Sequence, residues 1–389
     1  MLIEDVRVTL AAAGGGFQGG TNCVVEVQTD NGIVGIGQSG TWAYPEAVAA
    51  VVNAFRTYLN GQDPLRIENH WQHMYRMGPF RGNILHGAIS AVDIALWDIK
   101  GKHYGAPVWD LLGGRCRDKI RLHKLVLGSG HAPEFVSEFV KDAVAEGFTA
   151  VKFDPLPFGC GDIPLPKLVT IVRDVVAAAR EAAGTETDLI LEYGRKLNPL
   201  QALPVMNAVA EFHPLFIEDP IQIDSIQSQA EVASRVQLPI GNGERLTSIW
   251  EFRELLERGG PQYVRPDLGM GGGLTHCKKI AAVAESYHSA VVSHNWLGPL
   301  LTAAAIHLDV SIPNFVVQEY SVDDETAPEN KMFRTSLVRD GGYMLVPEAP
   351  GLGVEFLPEV AAKYPAKPLD WGHFPSNDSH RDGSMGVSF

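Results

Sequence analysis

Apolar and polar positions along this chain follow two different rhythms, one up to about residue 114 and another beyond it. Residues 3–9 (IEDVRVT) and 22–29 (NCVVEVQT) are rich in β-branched side chains, which favour strands. The second run meets Asp30-Asn31-Gly32 and continues as IVGIG, which predicts a hairpin turning at the Asn-Gly step. Residues 44–60 and 64–78 carry apolar positions at helical period, and residues 86–105 predict a long, mostly apolar helix stopped by a glycine. A small sheet followed by helices makes an α+β module.

From Lys119 the pattern becomes an alternation. Short apolar runs appear at RLHKLVL, FTAVKF, DLILEY, PLFIED, LPIGNGE, QYVRPD, SAVVSHN and PNFVVQEY, with amphipathic stretches such as PEFVSEFVKDAVAEG between most of them. Strands apolar on both faces and alternating with helices indicate a parallel sheet. Eight such runs point to a closed β/α barrel over an open doubly wound sheet. GMGGGLTH, at 269–276, follows a strand but lacks the glycine spacing of a dinucleotide-binding turn. The chain thus divides into an α+β module (1–114), a barrel (115–320) and a final segment (321–389). That segment's turn-rich GGYMLVPEAPGLGVE is expected to return to the first module, and its last twenty or so residues are polar and irregular.

Charge is placed with regularity against the barrel runs. Glu192, Glu218, Glu244, Asp267, His294 and Glu319 each close one, at intervals of 26, 26, 23, 27 and 25 residues, close to one β/α unit apiece. Residues at the C-terminal ends of successive barrel strands share one mouth, where such folds build active sites. A lone acid there is ordinarily a helix cap or a solvated loop residue. Glu192, Glu218 and Glu244 on successive strands would repel one another unless a cation lay between them. All-oxygen ligands, with no cysteine and no clustered histidine, favour Mg²⁺ over Zn²⁺.

Asp267 and His294 fall on neighbouring strands, where a carboxylate behind an imidazole would fix its tautomer and raise its basicity, as a general base requires. A buried structural His–Asp pair is the alternative. Lys152 ends FTAVK and shares a strand face with Asp154. It is either a solvated cap or an electrostatic partner of the metal site.

Composition narrows the classes. With 32 Lys plus Arg against 46 Asp plus Glu, the formal net charge is −14, which offers no footprint for nucleic acid or anionic lipid. Cys23, Cys116, Cys160 and Cys277 are scattered without metal-knuckle or redox spacing, as expected of reduced thiols. No apolar run reaches signal or membrane-span length, so the expected location is cytoplasmic.

Several of these motifs together resemble the enolase superfamily. RGNILHGAISAVDIALWDIKGKHYGAPVWDLLGG, IEDP, GNGER, RPDLGMGGGLT, SHNWLGPLLTAAAIHLD, PNFVVQEY, PGLGVE and a late DGS are similar to its mandelate-racemase-like branch, and within it to acid-sugar dehydratases of galactonate and mannonate type. The resemblance implies a TIM-like α/β barrel of modified (β/α)7β form, with an α+β N-terminal capping domain completed by C-terminal residues. It implies a homo-oligomer that acts on a small-molecule sugar acid with Mg²⁺ as cofactor, without nucleic-acid or membrane partners. Glu218 and Glu244 match two metal ligands, Asp267 and His294 the catalytic dyad, and Glu319 an acid that hydrogen-bonds the substrate carboxylate or enolate. Lys152 matches the first lysine of a Lys-x-Lys pattern, but Asp154 stands where the second would be. The third-strand motif departs as well. Here the chain reads Glu192-Tyr193-Gly194-Arg195, so the first metal ligand is Glu192 by strand-end placement or falls at Leu191 by alignment on Gly-Arg.

The implied reaction removes the proton α to a carboxylate, with His294 as base, and expels the β-hydroxyl to give a 2-keto-3-deoxy acid. Lys152 and Glu319 would hydrogen-bond the growing enolate, which requires Glu319 to be protonated by a raised pKa. Asp154, Arg195 and Trp42 are the substrate-binding candidates, and the glycine-rich loop Gly14 to Gly20 would close with Trp42 over the polyol. The histidine that galactonate-type members use to expel hydroxide is absent, leaving Tyr193, Arg195 or His294 itself for that role. Without a second lysine, only the His294 face is expected to carry a competent base. Racemisation, epimerisation or cycloisomerisation on the same scaffold, and a catalytically silent metal- or ligand-binding barrel, are the alternatives.

Overall fold

A computed structural model of the chain describes residues 1–13, 20–126, 130, 132–367, 380–382 and 384. Most of the expected glycine-rich loop (14–19), and Gly383 of the DGS motif with most of the tail, lie outside the described residues. The N-terminal module opens with β1 (Ile3–Ala12), β2 (Thr21–Thr29) and β3 (Val34–Ser39), an antiparallel sheet in that order. Four helices follow: α1 (Pro45–Leu59), α2 (Ile67–Arg76), α3 (Asn83–Tyr104) and α4 (Val108–Leu111). The central helix α3 is buried along most of its length, because the sheet covers one side and the barrel the other. An amphipathic stripe would not suffice for a helix in that position, hence the nearly continuous apolar sequence.

The barrel runs β4 (Lys119–Leu125), α5 (Pro133–Ala145), β5 (Ala150–Phe153), α6 (Leu165–Ala183), β6 (Asp188–Glu192), α7 (Pro199–Val209), β7 (Phe216–Glu218) and α8 (Ile226–Ser234). It continues with β8 (Ile240–Asn242), α9 (Ile249–Glu257), β9 (Tyr263–Val264), α10 (Gly273–Ser286), β10 (Ala290–Val291), α11 (Pro299–Ser311) and β11 (Gln318–Tyr320). Neighbouring strands pair in parallel from β4 to β10. The ring closes where β11 pairs with β4 and Phe315 bridges Val291. This is a (β/α)7β barrel capped by the α+β module. No helix among the described residues is long and apolar enough to cross a membrane.

The segment after β11 serves both parts. Met344 pairs antiparallel with Ile120 on barrel strand β4, a contact the sequence reading, which sent this stretch to the first module, did not foresee. Further on, the Leu352 amide donates to Asp98 Oδ1 (2.9 Å) while the Ile36 amide donates to Asp98 Oδ2 (3.0 Å). One buried carboxylate on α3 thereby ties the late segment to the small sheet. Ala11 and Pro365 then form an isolated bridge.

Helix α11 is wholly buried and carries a carboxylate, Asp309, whose Oδ1 accepts from the Ser293 hydroxyl (2.8 Å) while Oδ2 has no hydrogen-bond partner. Burial pushes its pKa from 3.8 up to about 8, against the pull of Ser293 and Arg117. The native state thus keeps a proton that the unfolded chain has lost, and stability should fall as pH rises through this window, by up to about 1.4 kcal/mol per pH unit. Urea unfolding across the window should show that slope, and Asp309→Asn should flatten it. An unchanged slope in the variant would rule Asp309 out as its source.

Candidate active site at the barrel mouth

Strand alternation and parallel register carry the predicted polar residues to one end of the barrel. Glu192 and Glu218 are register partners at the ends of β6 and β7, so their side chains lie side by side. Glu244 follows β8 by two residues, and one carboxylate oxygen from each of the three lies within 4.8 Å of the others. Leu191, the alternative position for the first ligand, is fully buried in the apolar layer between strands and helices.

Carboxylates so close need compensation. Lys152 Nζ lies 3.2 Å from Glu192 and 3.0 Å from Glu218, and also pairs with Glu319. Burial disfavours the ammonium, but Glu218, Glu319 and Glu192 outweigh it and hold the Lys152 pKa above its ordinary value. Among these carboxylates Lys152 favours its charged form. The fully buried guanidinium of Arg265 pairs with Glu218 (2.8 Å) and Glu319 (2.7 Å). Arg195 bridges Asp219 and Glu244, both at 2.7 Å, so the substrate-binding role expected of it would compete with two carboxylates already in place.

Glu319 departs from expectation. Burial pushes its pKa up, yet Lys152, Arg265 and His294 together hold it below the ordinary carboxylate range. An ionised carboxylate only accepts hydrogen bonds, so this direction runs against the protonated Glu319 expected from the sequence. It instead aligns the two cations and accepts from the Asn295 amide (3.0 Å).

Asp267 and His294 form an isolated parallel bridge, with Asp267 Oδ2 at 2.6 Å from His294 Nδ1. The other ring nitrogen, Nε2, lies 3.5 Å from Glu244 and 4.0 Å from Glu319 and so faces the carboxylate cluster. Burial favours the neutral ring, but Glu244, Asp267 and Glu319 outweigh it and raise the imidazole pKa. Asp154 is also buried, and its side chain accepts from the Leu156 amide (2.8 Å) and pairs with Lys196. Burial pushes Asp154 up to about 6 despite Lys196.

Trp42 lies at the seam between cap and barrel, 6.0 Å edge-on from Trp296, and is almost fully buried. The backbones meet beside it: the Gly40 amide donates to the Gly269 carbonyl (2.8 Å), and a Cβ on Gly269 would stand 2.3 Å from Gly40 N. That closeness explains the glycine-rich GMGGG after β9, which brings cap and barrel together at the edge of the site.

Three participants escaped the sequence reading: Arg265, Asp219 and Lys196. Arg265 had a legible signal, since it stands two residues before Asp267 and alternation puts both on one face. Asp219 and Lys196 sit just past strand ends, where a polar residue ordinarily means a loop.

The all-oxygen donor set fits a hard divalent cation. Glu192, Glu218, Asp219, Glu244, Asp267 and Glu319 outnumber Lys152, Arg195, Arg265 and Arg245 around the mouth, which leaves room for further positive charge. Burial, more than any neighbouring charge, pushes the Glu218 pKa up, against the pull of Arg265 and Lys152.

Comparison with known proteins gives a consistent outcome. Residues 136–360 match the enolase C-terminal domain-like family, and residues 3–113 match the mandelate racemase/muconate lactonizing enzyme N-terminal domain. The chain is 36% identical over 370 residues to a D-galactonate dehydratase of Ralstonia pickettii strain 12J, covering 93% of this chain and 95% of the relative. A mandelate racemase/muconate lactonizing enzyme from Sulfitobacter sp. superposes with a TM-score of 0.87 at 32% identity, over 94% of this chain and 96% of that one. An enolase from Agrobacterium radiobacter, solved with sodium and L-malate, superposes with a TM-score of 0.90 at 26% identity over the full length of both chains.

If the three glutamates hold the ion, Glu218→Gln and Glu244→Gln should each weaken Mg²⁺ binding, measured by titration calorimetry, by at least the roughly 10–100-fold that loss of a mere supporting partner costs. Glu192→Gln should do the same. Unaltered affinity in Glu192→Gln would remove it from the ligand set, and unaltered affinity in the other two would remove the site.

Proposed function

The chain belongs to the enolase superfamily, in its mandelate racemase/muconate lactonizing enzyme branch, and from that premise we propose that it is a Mg²⁺-dependent sugar-acid dehydratase. The observation that carries the reading is the His294–Asp267 dyad, 2.6 Å apart, with its free ring nitrogen turned toward three clustered carboxylates. The site residues assigned here are a proposal. Glu192, Glu218 and Glu244 hold the ion. When bound, it supplies positive charge to the substrate carboxylate as negative charge grows there.

The chain's own residues do the rest. His294 Nε2 removes the proton α to the carboxylate, and Asp267 keeps the opposite nitrogen protonated so that Nε2 is the basic one. A raised imidazole pKa makes the neutral ring a stronger base. Lys152 and Arg265 place permanent positive charge beside the substrate carboxylate, in a water-poor setting where such charge acts strongly. Glu319 keeps those two cations aligned. Trp42, on the cap, closes the edge of the mouth and limits water. Loss of the β-hydroxyl then gives an enol that becomes the 2-keto-3-deoxy acid. The near-full-length likeness to a D-galactonate dehydratase supports a polyhydroxy acid as the substrate class. A silent barrel is disfavoured, because dyad, carboxylates and cations are all assembled.

Incubation with Mg²⁺ and a panel of aldonic and aldaric acids should yield a 2-keto acid from at least one. His294→Asn should abolish exchange of the α-proton with D₂O while leaving Mg²⁺ affinity nearly intact. Exchange without any keto acid in the wild-type enzyme would point to racemisation or epimerisation, and full exchange in His294→Asn would give the base role to another group.

A further inference from the structure

A second lysine, Lys196, reaches Asp154 from the loop after β6. Gly194 and Arg195 both adopt positive φ, 56° and 67°, in the turn after β6 that leads into Lys196. There the ammonium pairs with Asp154, and both side chains are more than nine-tenths buried. A Cβ built on Gly194 would stand 3.7 Å from Glu192 Oε1 and 3.8 Å from Lys196 Nζ, so the same glycine adjoins both the ammonium and one carboxylate of the cluster. Arg195 holds its left-handed conformation without being glycine, and such strain persists where the surroundings impose it.

The barrel order puts this ammonium across from the base. In the closed ring, β6 and β10 are four strands apart in either direction, so the loop bearing Lys196 faces the one bearing His294. Two of the other groups considered for expelling hydroxide are engaged or misplaced, and the third, His294, is already the base in this reading. Tyr193 is fully buried in the layer between strands and helices, its hydroxyl unpartnered, and Arg195 is bound to Asp219 and Glu244.

We propose that Lys196, positioned by Asp154, is the acid that protonates the departing β-hydroxyl. The inference rests on the dehydratase reading above. His294 takes the proton from C2, and that electron pair is first held on the carboxylate as an enediolate; it then becomes the C2–C3 double bond as the C3–O bond breaks with its pair on oxygen. Lys196 Nζ gives that oxygen a proton and water leaves. The enol then takes a proton at C3 and gives up its C2 hydroxyl proton to solvent to become the ketone, while Lys196 and His294 return to their starting states through solvent. The sum is substrate to keto acid plus water.

The test uses the full-length enzyme with Mg²⁺ and its best acid substrate. Lys196→Met should lower keto-acid formation roughly 10²–10⁴-fold, the usual contribution of a general acid. Exchange of the C2 proton with D₂O should persist. Release of fluoride from the 3-deoxy-3-fluoro analogue should also persist, because fluoride leaves without a proton, and a merely structural lysine would not distinguish the two leaving groups. Lys196→Gln, read the same way, serves if the methionine variant fails to fold, with Mg²⁺ calorimetry reporting an intact site in either. Asp154→Asn should give a smaller loss with the same preference for fluoride. Wild-type keto-acid formation in the Lys196 variants overturns the proposal, as does an equal loss of exchange, fluoride release and water loss. A C2 epimer that the wild-type enzyme accumulates and the variants do not would move Lys196 to the α-carbon and overturn it too. If the wild-type enzyme dehydrates none of the acids, the function reading itself fails and this inference falls with it, an outcome distinct from a working enzyme indifferent to Lys196.

Discussion

Burying several carboxylates at the mouth of one barrel is the constraint from which the rest of the site follows. Each would lose several kcal/mol on leaving water unless paired, and here the strand ends bring Glu192, Glu218, Glu244, Asp267 and Glu319 together. The arrangement resolves this with cations that are themselves buried: Lys152 among three glutamates, Arg265 between Glu218 and Glu319, and Arg195 between Asp219 and Glu244. None of these positive charges is free to wander, because each is gripped by two or more acids. A rigid array of opposed charge is what a reaction that builds negative charge on a carboxylate needs, since nothing must reorganise as that charge appears.

The same array gives chemically similar groups different roles. Glu218 and Glu319 share Lys152 and Arg265, so the way a proton divides between them belongs to the group as a whole. Lys152 stays charged because acids surround it, whereas the imidazole of His294 is raised by acids on both sides but retains a nitrogen facing the cavity. Function is therefore divided by environment and not by residue type. The cap contributes by closing rather than by reacting. Its glycine at 40 meets the glycine at 269 backbone to backbone, Trp71 Nε1 donates to the Gly272 carbonyl (2.8 Å), and Trp42 packs on Trp296.

Much of this was legible along the chain. Strand register is periodic, and a barrel converts a period of about one β/α unit into a ring. Six polar residues spaced at that period therefore had to face one mouth once the apolar runs were accepted as strands. Helix α3 was legible too, because a run apolar on all sides has to be covered on all sides.

What only the tertiary structure decided is which charge meets which. Arg195 and Glu244 are 49 residues apart, Arg265 and Glu319 are 54, and Lys196 and Asp154 are 42. Those pairings depend on barrel closure and on the path of a single left-handed turn, neither of which leaves a local mark in the sequence. The ionisation of Glu319 depends on tertiary structure for the same reason: a pKa is set by every charge that folding brings within a few ångströms, and Arg265 is one the sequence did not place beside it. The pairing of Lys196 with Asp154 was likewise hidden by its separation along the chain. Sequence by itself determined the fold, the ring of acids and the dyad, because these follow from periodicity; the folded chain decided the state and partner of each charge, because electrostatics acts through space.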